Sequence, residues 1–413
     1  MLSVFIKSLY LLSFLIISII SFSRGSFTQL SIENMPLKNV LVVEAVFTLL
    51  IGLYLFLTLW NKVNFTQKSI KVLAVAIIFL LVITPPLLSV DIYAYMVSAK
   101  SLATTNINIY ANSLLALTSN PWMKEINAWW NTLPAAYGPL FYFMITPLGL
   151  VSNLLTAVYL YKIINVIFYI FAIFSLRKLI DLLSLDSKIL YLFLFNPSLL
   201  IHVFLDGHND IIIVSLLFFS IYYLTKKKSE YAIILTSLSI VIKYMTIIFL
   251  PVFVFTNSKR VVSNGIKTII ITAVVIIISL IPLFMRWENP KITDPINSLL
   301  IFYINPQAGC LYRCSPFIAL TNGLFLNSAS FVRLIIFTAA YLYLIYFFLY
   351  KEKEPIKFMF WSFVGFLFLY TPWITPWYAL VPTTLSFLLF KEEKYIYLNI
   401  LLTSYSLWHY FFI

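Results

Sequence analysis

Asp91 stands at the edge of an apolar run, after Pro85-Pro86-Leu87-Leu88-Ser89-Val90, with Tyr93 and Tyr95 close behind. A carboxylate there suits a general base. An Asp that caps a helix start, or that merely closes the run, is the competing reading. A second polar group is Phe204-Leu205-Asp206-Gly207-His208-Asn209-Asp210. Two carboxylates, an imidazole and an amide in five positions can hydrogen-bond a polar substrate or form a plain helix-cap turn. His202 and Asp206 are spaced i,i+4, which makes a metal conceivable, yet no Cys or Glu completes a recognised ligand spacing, so no metal is expected. Lys243, in Ile240-Val241-Ile242-Lys243-Tyr244-Met245, has no acid nearby in sequence. It fits a point charge for phosphate or a lysine snorkelling from a span end. Lys162 reads as snorkelling or paired. Arg286 and Arg313 are further cations. Cys310 and Cys314 form an i,i+4 pair that can close a disulfide if its loop is not regular helix.

These residues are embedded in a chain that is 62% hydrophobic and 10% charged. A soluble domain carries about 25% charged residues, so this composition could not cover a water-facing surface. Apolar runs near the length needed to cross about 30 Å of hydrocarbon recur throughout. Backbone groups have no water partner at that depth, and runs such as Ile269 to Leu283 do not alternate, so the spans must be helices and not barrel strands. The net charge of +13 comes from dispersed basic residues between apolar runs, which argues against nucleic acid and for the positive-inside rule.

Short basic interruptions (Lys62/Lys68/Lys71, Arg177/Lys178/Lys188, Lys226–Lys228, Lys259/Arg260/Lys267, Lys351/Lys353/Lys357, Lys391/Lys394) alternate with longer ones rich in Trp, Pro and Asn. Placing the basic kind in the cytoplasm puts the N-terminus inside. Spans are then expected at about 4–22, 39–60, 70–89, 156–176, 188–206, 210–225, 263–284, 331–350, 357–372, 377–390 and 395–412. The first reads as a retained span and not a signal peptide, because its run is long and no A-x-A site follows. Residues 137–155, broken by Pro139 and Pro147, predict a half-helix or re-entrant piece. Residues 230–256 predict a hairpin of two short helices bending near Lys243. The loop 89–136, with Trp122, Trp129 and Trp130, is expected to lie on the membrane surface as short amphipathic helices. The architecture is therefore an all-α polytopic membrane protein of about 11–13 transmembrane helices, short or re-entrant segments included. It forms one domain over 1–413, with extra spans in 1–69, a core in 70–260 and further spans in 261–413. In this orientation Asp91, Asp206, His208, Asn209, Asp210, Lys243, Arg286 and Arg313 all gather on the outer side. An ion at bilayer depth costs about 2.5–3.5 kcal/mol on insertion scales, so such a gathering marks a functional site.

Several segments together resemble GT-C superfamily glycosyltransferases, most closely the prokaryotic polyprenyl-phosphate-mannose-dependent mannosyltransferases. Asp91-Ile92-Tyr93-Ala94-Tyr95 followed by Asn108-Ile109-Tyr110 is similar to their first outer loop, with Ile109 where the family has Pro. Tyr137-Gly138-Pro139-Leu140, Asn196-Pro197, Gly207-His208-Asn209-Asp210, Ile242-Lys243-Tyr244 before Pro251, and Trp377-Tyr378 resemble later motifs of the family, in its order. A second acidic residue beside Asp91 is absent.

The resemblance implies inverting transfer of one sugar, mannose or another hexose, from a polyprenyl-phosphate donor to a glycan or glycolipid acceptor, on the extracytoplasmic side of the cell membrane. Asp91 would be the base. Lys243, with Arg286 or Arg313 in reserve, would hold the donor phosphate. Tyr93, Tyr95, Tyr110, Tyr137, Asp206, His208, Asn209, Asp210, Tyr244 and Trp377 would contact substrate. No cofactor is expected, because the carrier has a single phosphate to neutralise. A transporter or flippase is the alternative class; it calls for polar residues at mid-depth with access from both sides. An acyl- or phosphotransferase needs a His or Ser nucleophile set that the sequence does not assemble.

Overall fold

The computed structural model describes residues 2–24, 35–59, 67–114, 120–123, 132–255, 260–287, 290–291, 293–304, 320–321, 329–371 and 375–411. All regular elements among them are helical. In chain order they are α1 (Leu2–Ser23), α2 (Leu37–Leu59), α3 (Gln67–Ile83), α4 (Asp91–Thr104), α5 (Pro139–Ile145), α6 (Leu154–Leu183), α7 (Lys188–Leu194) and α8 (Pro197–Leu199). Then come α9 (Asp210–Thr225), α10 (Ser229–Ile240), α11 (Leu250–Phe255), α12 (Val261–Phe284), α13 (Asp294–Ile304), α14 (Ala329–Phe347), α15 (Pro355–Gly365), α16 (Leu380–Phe387) and α17 (Glu393–Trp408). Six described helices are long and apolar enough to cross a membrane, and shorter apolar helices accompany them. This is the all-α polytopic architecture that composition demands.

The long helices wear their apolar side chains outward. Ile269, Ile277 and Ile278 on α12 and Phe331, Ile335 and Leu342 on α14 are exposed. Water would not tolerate such continuous bands, whereas lipid tails do. The polar groups turn inward and link helices far apart in sequence. Tyr54 Oη of α2 donates to Asn399 Oδ1 of α17 at 2.6 Å. Asn196 Nδ2 donates to Thr403 Oγ1 at 2.9 Å, and Ser406 Oγ donates to Ser198 Oγ at 2.6 Å. With no water to compete, each such bond fixes the rotation of α17 against α2 and α8.

Proline decides where several spans stop. The span expected over 70–89 ends at Ile83, because Pro85 and Pro86 cannot continue the hydrogen-bond ladder. The span expected over 188–206 is one rod broken at Asn196-Pro197. Asn196 Oδ1 accepts the Leu199 N–H at 3.0 Å and restarts the helix as α8, which runs on into a π turn over Leu200–Leu205. The half-helix expected in 137–155 is α5, followed by a 3₁₀ turn over Thr146–Leu150. The expected hairpin is α10 and α11, joined by extended backbone at Lys243 (φ −151°, ψ 111°) and a 3₁₀ turn over Tyr244–Phe249.

The bundle has two chemically distinct ends. At one, Lys7 Nζ donates to Ser69 Oγ (2.9 Å), Lys188 Nζ to the Thr58 carbonyl (2.8 Å), and Lys267 pairs with Glu230 (2.6 Å). At the other, Ser21 Oγ donates to the Pro85 carbonyl (2.8 Å) and Arg24 to that of Leu87 (3.2 Å), just ahead of Asp91. The helix α4 departs from the surface-lying expectation. All its residues except Lys100, Ala103 and Thr104 are buried. It packs against the Thr146–Leu150 turn, α5 and α6, which cover it on several sides. Trp122 is also buried, with Lys100 Nζ 4.9 Å from its ring centre, while Trp129 and Trp130 lie outside the described residues.

The tightest backbone approach locks α5 to the hairpin bend. Gly138 N–H donates to the Ile242 carbonyl (2.9 Å) and Leu140 N–H to that of Val241 (3.0 Å). A Cβ on Gly138 would sit 2.2 Å from the Val241 oxygen, so only glycine lets the two strands of chain meet. Gly138→Ala is therefore expected to destabilise the protein by about 1–3 kcal/mol or more, as overpacking does. Thermal unfolding of the detergent-purified variant checks this; an unchanged midpoint would refute the contact.

Candidate active site

Asp91 opens α4. Val90 is the N-cap and offers no side-chain cap, while Ser89 Oγ accepts the Asp91 N–H at 3.3 Å. Asp91 is thus not the capping residue, and its carboxylate is left to face the neighbouring turn. His208 Nδ1 of that turn lies 3.9 Å from Asp91 Oδ2. The turn comes close because Gly207 adopts φ +74°, a conformation other residues rarely take, and packs on Ile92 where a Cβ would meet Ile92 Cδ1 at 2.3 Å.

The segment carrying Asp91 is clamped from two sides. Asp206 Oδ1 accepts the N–H groups of Leu87 (3.0 Å) and Leu88 (2.9 Å). Lys162 Nζ, fully buried on α6, donates to the carbonyls of Thr84 (2.6 Å) and Leu81 (3.3 Å). The non-helical chain at Pro85-Pro86 thereby finds partners for groups that hydrocarbon would leave unsatisfied. Asp206, expected to touch substrate, spends one oxygen on this backbone. Asn165, one turn beyond Lys162 on α6, donates to the carbonyls of Val203 (3.2 Å) and His208 (3.1 Å) and holds the turn from behind.

Lys243 and Asp210 form a buried ion pair at 2.9 Å. The Lys243 ammonium lies 4.2 Å from the Tyr378 ring centre and 5.8 Å from that of Tyr137, so aromatic faces share its charge. It is also within electrostatic range of Asp91. Tyr95 and Tyr137 share a hydroxyl–hydroxyl bond of 2.9 Å, and Tyr110 Oη donates to the Tyr137 carbonyl at 2.7 Å. Asn108, capping the turn that carries Tyr110, donates to Asp294 at 2.7 Å. Tyr244 lies beside Tyr110, and Tyr93 is buried in the first turn of α4. The Trp377 ring stacks on His208 with centroids 3.7 Å apart and planes at 16°. Asn209, at the N-cap of α9, is fully buried, and neither its side-chain oxygen nor its nitrogen has a hydrogen-bond partner.

The structure thus gathers Asp91, Tyr95, Tyr137, Asp206, His208, Asp210, Lys243 and Trp377, from elements dispersed along the chain. Arg286 is not in this group. It is exposed and donates to the Ala103 carbonyl at 3.2 Å, near the far end of α4 and about 18 Å along the helix axis from Asp91. Arg313, Cys310 and Cys314 lie outside the described residues. Sequence reasoning passed over Asn165, named Tyr378 only within the Trp377-Tyr378 pair, and left Lys162 without a function. The available signal was Lys162 and Asn165 three residues apart, on one face of an otherwise apolar span.

Removing one member of a buried ion pair strands the other. Lys243→Met is expected to cost about 3–5 kcal/mol, and Lys243→Met combined with Asp210→Asn to recover most of that loss. A double-mutant cycle on thermal unfolding measures it; additive losses would disprove the coupling.

The sequence matches the family described as alpha-(1->6)-mannopyranosyltransferase, N-terminal domain (MptA_B family), over residues 11–259, more than half of the chain. No curated protein matches it. The matched stretch runs from within α1 to just past α11 and includes Asp91, Lys162, the Asp206–Asp210 turn and Lys243. The chain belongs to this GT-C mannosyltransferase family and is a membrane-embedded glycosyltransferase.

Proposed function

We propose that the protein transfers one sugar, mannose or another hexose, from a polyprenyl-phosphate donor to the hydroxyl of a glycan or glycolipid acceptor. Asp91 takes the acceptor proton while the acceptor oxygen attacks the anomeric carbon, and the bond from that carbon to the phosphate oxygen breaks. One displacement at one carbon inverts its configuration. The observation that carries this reading is the convergence of a carboxylate and an ammonium on one buried polar cluster: Asp91 faces His208 at 3.9 Å, and Lys243 pairs with Asp210, two residues on, from the hairpin bend.

The roles divide by charge. The leaving lipid phosphate gains negative charge as the bond breaks. Lys243 has three N–H donors, of which Asp210 takes one, so donors remain for a phosphate oxygen. The helix N-termini of α4 and α9 open at Asp91 and Asp210, beside the same cluster, and favour an anion. The phosphodiester carries a single charge that Lys243 answers, so the phosphate needs no divalent ion. Tyr95, Tyr137 and Asn209 supply hydroxyl and amide groups for sugar hydroxyls. Trp377, with its ring fixed against His208, offers an apolar face for the sugar ring.

The two ends of the bundle support the sidedness of this reading. Lysines crowd the end opposite Asp91, and the positive-inside rule puts that end in the cytoplasm. The Asp91 cluster then lies toward the extracytoplasmic side, where a lipid-borne donor would reach it from the bilayer.

Asp91→Asn and Asp91→Ala are expected to lower transfer from a polyprenyl-phosphate-mannose donor by roughly 10²–10⁴-fold, the usual worth of a positioned base, with expression unchanged. The assay uses radiolabelled donor with membranes from an expressing strain. Full activity in either variant would reject Asp91 as the base. Movement of donor across proteoliposomes with no product formed would favour a transporter instead.

A further inference from the structure

His202, Asp206 and His208 are fully or almost fully buried, and each offers a ligand atom lying within 4.8 Å of the other two. Their free atoms are His202 Nε2, Asp206 Oδ2 and both ring nitrogens of His208, none of which has a hydrogen-bond partner. Unpartnered polar atoms at this burial are costly, and one ligand atom from each of the three side chains, gathered within 4.8 Å, calls for a common partner. From this geometry we infer a binding site for a zinc-like divalent transition-metal ion, held by His202, Asp206 and His208.

The ligand chemistry selects the metal. Two imidazoles and one carboxylate suit zinc, cobalt or iron, whereas magnesium and calcium take oxygen ligands. Zinc bonds to nitrogen and oxygen are about 2.0–2.2 Å, so tetrahedral ligand atoms stand about 3.5 Å apart, and the three side chains close by about 1 Å on loading. The outer contacts match what metal ligands generally have. Tyr410 Oη is 3.5 Å from His202 Nδ1, which leaves Nε2 for the ion. Asp206 already gives Oδ1 to the Leu87 and Leu88 N–H groups, which leaves Oδ2. Lys162, the nearby cation, is engaged by two backbone carbonyls and donates no hydrogen bond to Asp206.

Spacing along the chain conceals this site. His202 and Asp206 look like an i,i+4 pair on a regular helix, with His208 beyond its end. The π turn over Leu200–Leu205 and the positive φ of Gly207 close that gap. The His208 N–H reaches the His202 carbonyl at 2.8 Å, six residues back, and the imidazole rings stand 6.0 Å apart. The ion would not touch the donor phosphate. Bound to His208 Nε2, it fixes the imidazole with its proton on Nδ1, the nitrogen facing Asp91 Oδ2 at 3.9 Å. Through Asp206 it also tightens the segment that carries Asp91. Its role is to position the carboxylate.

Metal content of the full-length protein, purified in detergent without chelator, tests the inference without any transfer assay. Mass spectrometry of the metal is expected to find about one zinc per chain. After stripping and reloading with Co²⁺, the wild-type protein is expected to show the visible absorption of tetrahedral cobalt. His202→Ala and His208→Ala should each lose at least nine-tenths of the metal, and Asp210→Asn, whose carboxylate pairs with Lys243, should keep it. Tyr410→Phe, a mild change, should weaken Co²⁺ binding by roughly 10–100-fold. Wild-type protein with less than about a tenth of an ion per chain and no cobalt spectrum overturns the site, and so does metal that stays unchanged in both histidine variants. If a histidine variant fails to fold, the wild-type cobalt spectrum and Tyr410→Phe decide the question.

Discussion

A charged side chain in hydrocarbon must have a partner, and that requirement shapes this protein around Asp210 and Lys243. Asp210 opens α9 and Lys243 stands at the bend between α10 and the 3₁₀ turn, yet their side chains meet at 2.9 Å. Because neither can be left alone, the hairpin must stop short of crossing and turn back at the depth of Asp210. The same bend accepts Gly138 and Leu140 through its backbone, which sets where α5 ends and where Tyr137 points. One ion pair therefore fixes two broken helices and the aromatic wall between them.

The other half of the site is organised by backbone groups. Pro85 and Pro86 stop α3 early and leave carbonyls and N–H groups without helical partners. Lys162 takes the carbonyls on one side of the prolines, and Asp206 takes the N–H groups on the other. Broken helices are permitted in membranes where side chains or cavities satisfy the break, and here the compensation comes from two charged residues of separate spans. Asp91 inherits its position from this clamp, because it begins the helix that follows.

These two constraints explain which features could be read from sequence. Asp91, the Asp206–Asp210 turn and Lys243 were visible because ions interrupt long apolar runs, and the hydrocarbon penalty makes each a candidate. Span existence followed from hydropathy and the break at Pro139 from a missing N–H donor, whereas the early stop before Pro85 and the restart at Pro197 fell inside spans expected to be continuous. The partners were not visible. Nothing in the spacing announces that Asp206 binds the backbone at Leu87, that Trp377 stacks on His208, or that α17 hydrogen-bonds to α2 and α8. These are long-range contacts set by how helices rotate against one another. The burial of α4 was also hidden, since its moderate polarity suits a membrane surface as well as a polar interior pocket.

The arrangement also separates two tasks that one carboxylate cannot combine. A base must stay accessible to the acceptor and free of a tight ion pair, or its lone pair is unavailable. Two distances around Asp91 bear on that condition: Asp210 holds the Lys243 ammonium at 2.9 Å, and His208 Nδ1 stands 3.9 Å from Asp91 Oδ2. Asp210 absorbs the Lys243 charge, and Asp206 absorbs the exposed backbone. Three carboxylates converge, and the two on the neighbouring turn hold the Lys243 ammonium and the Leu87–Leu88 backbone. The chemistry assigned to Asp91 thus depends as much on what its two neighbours bind as on its own position.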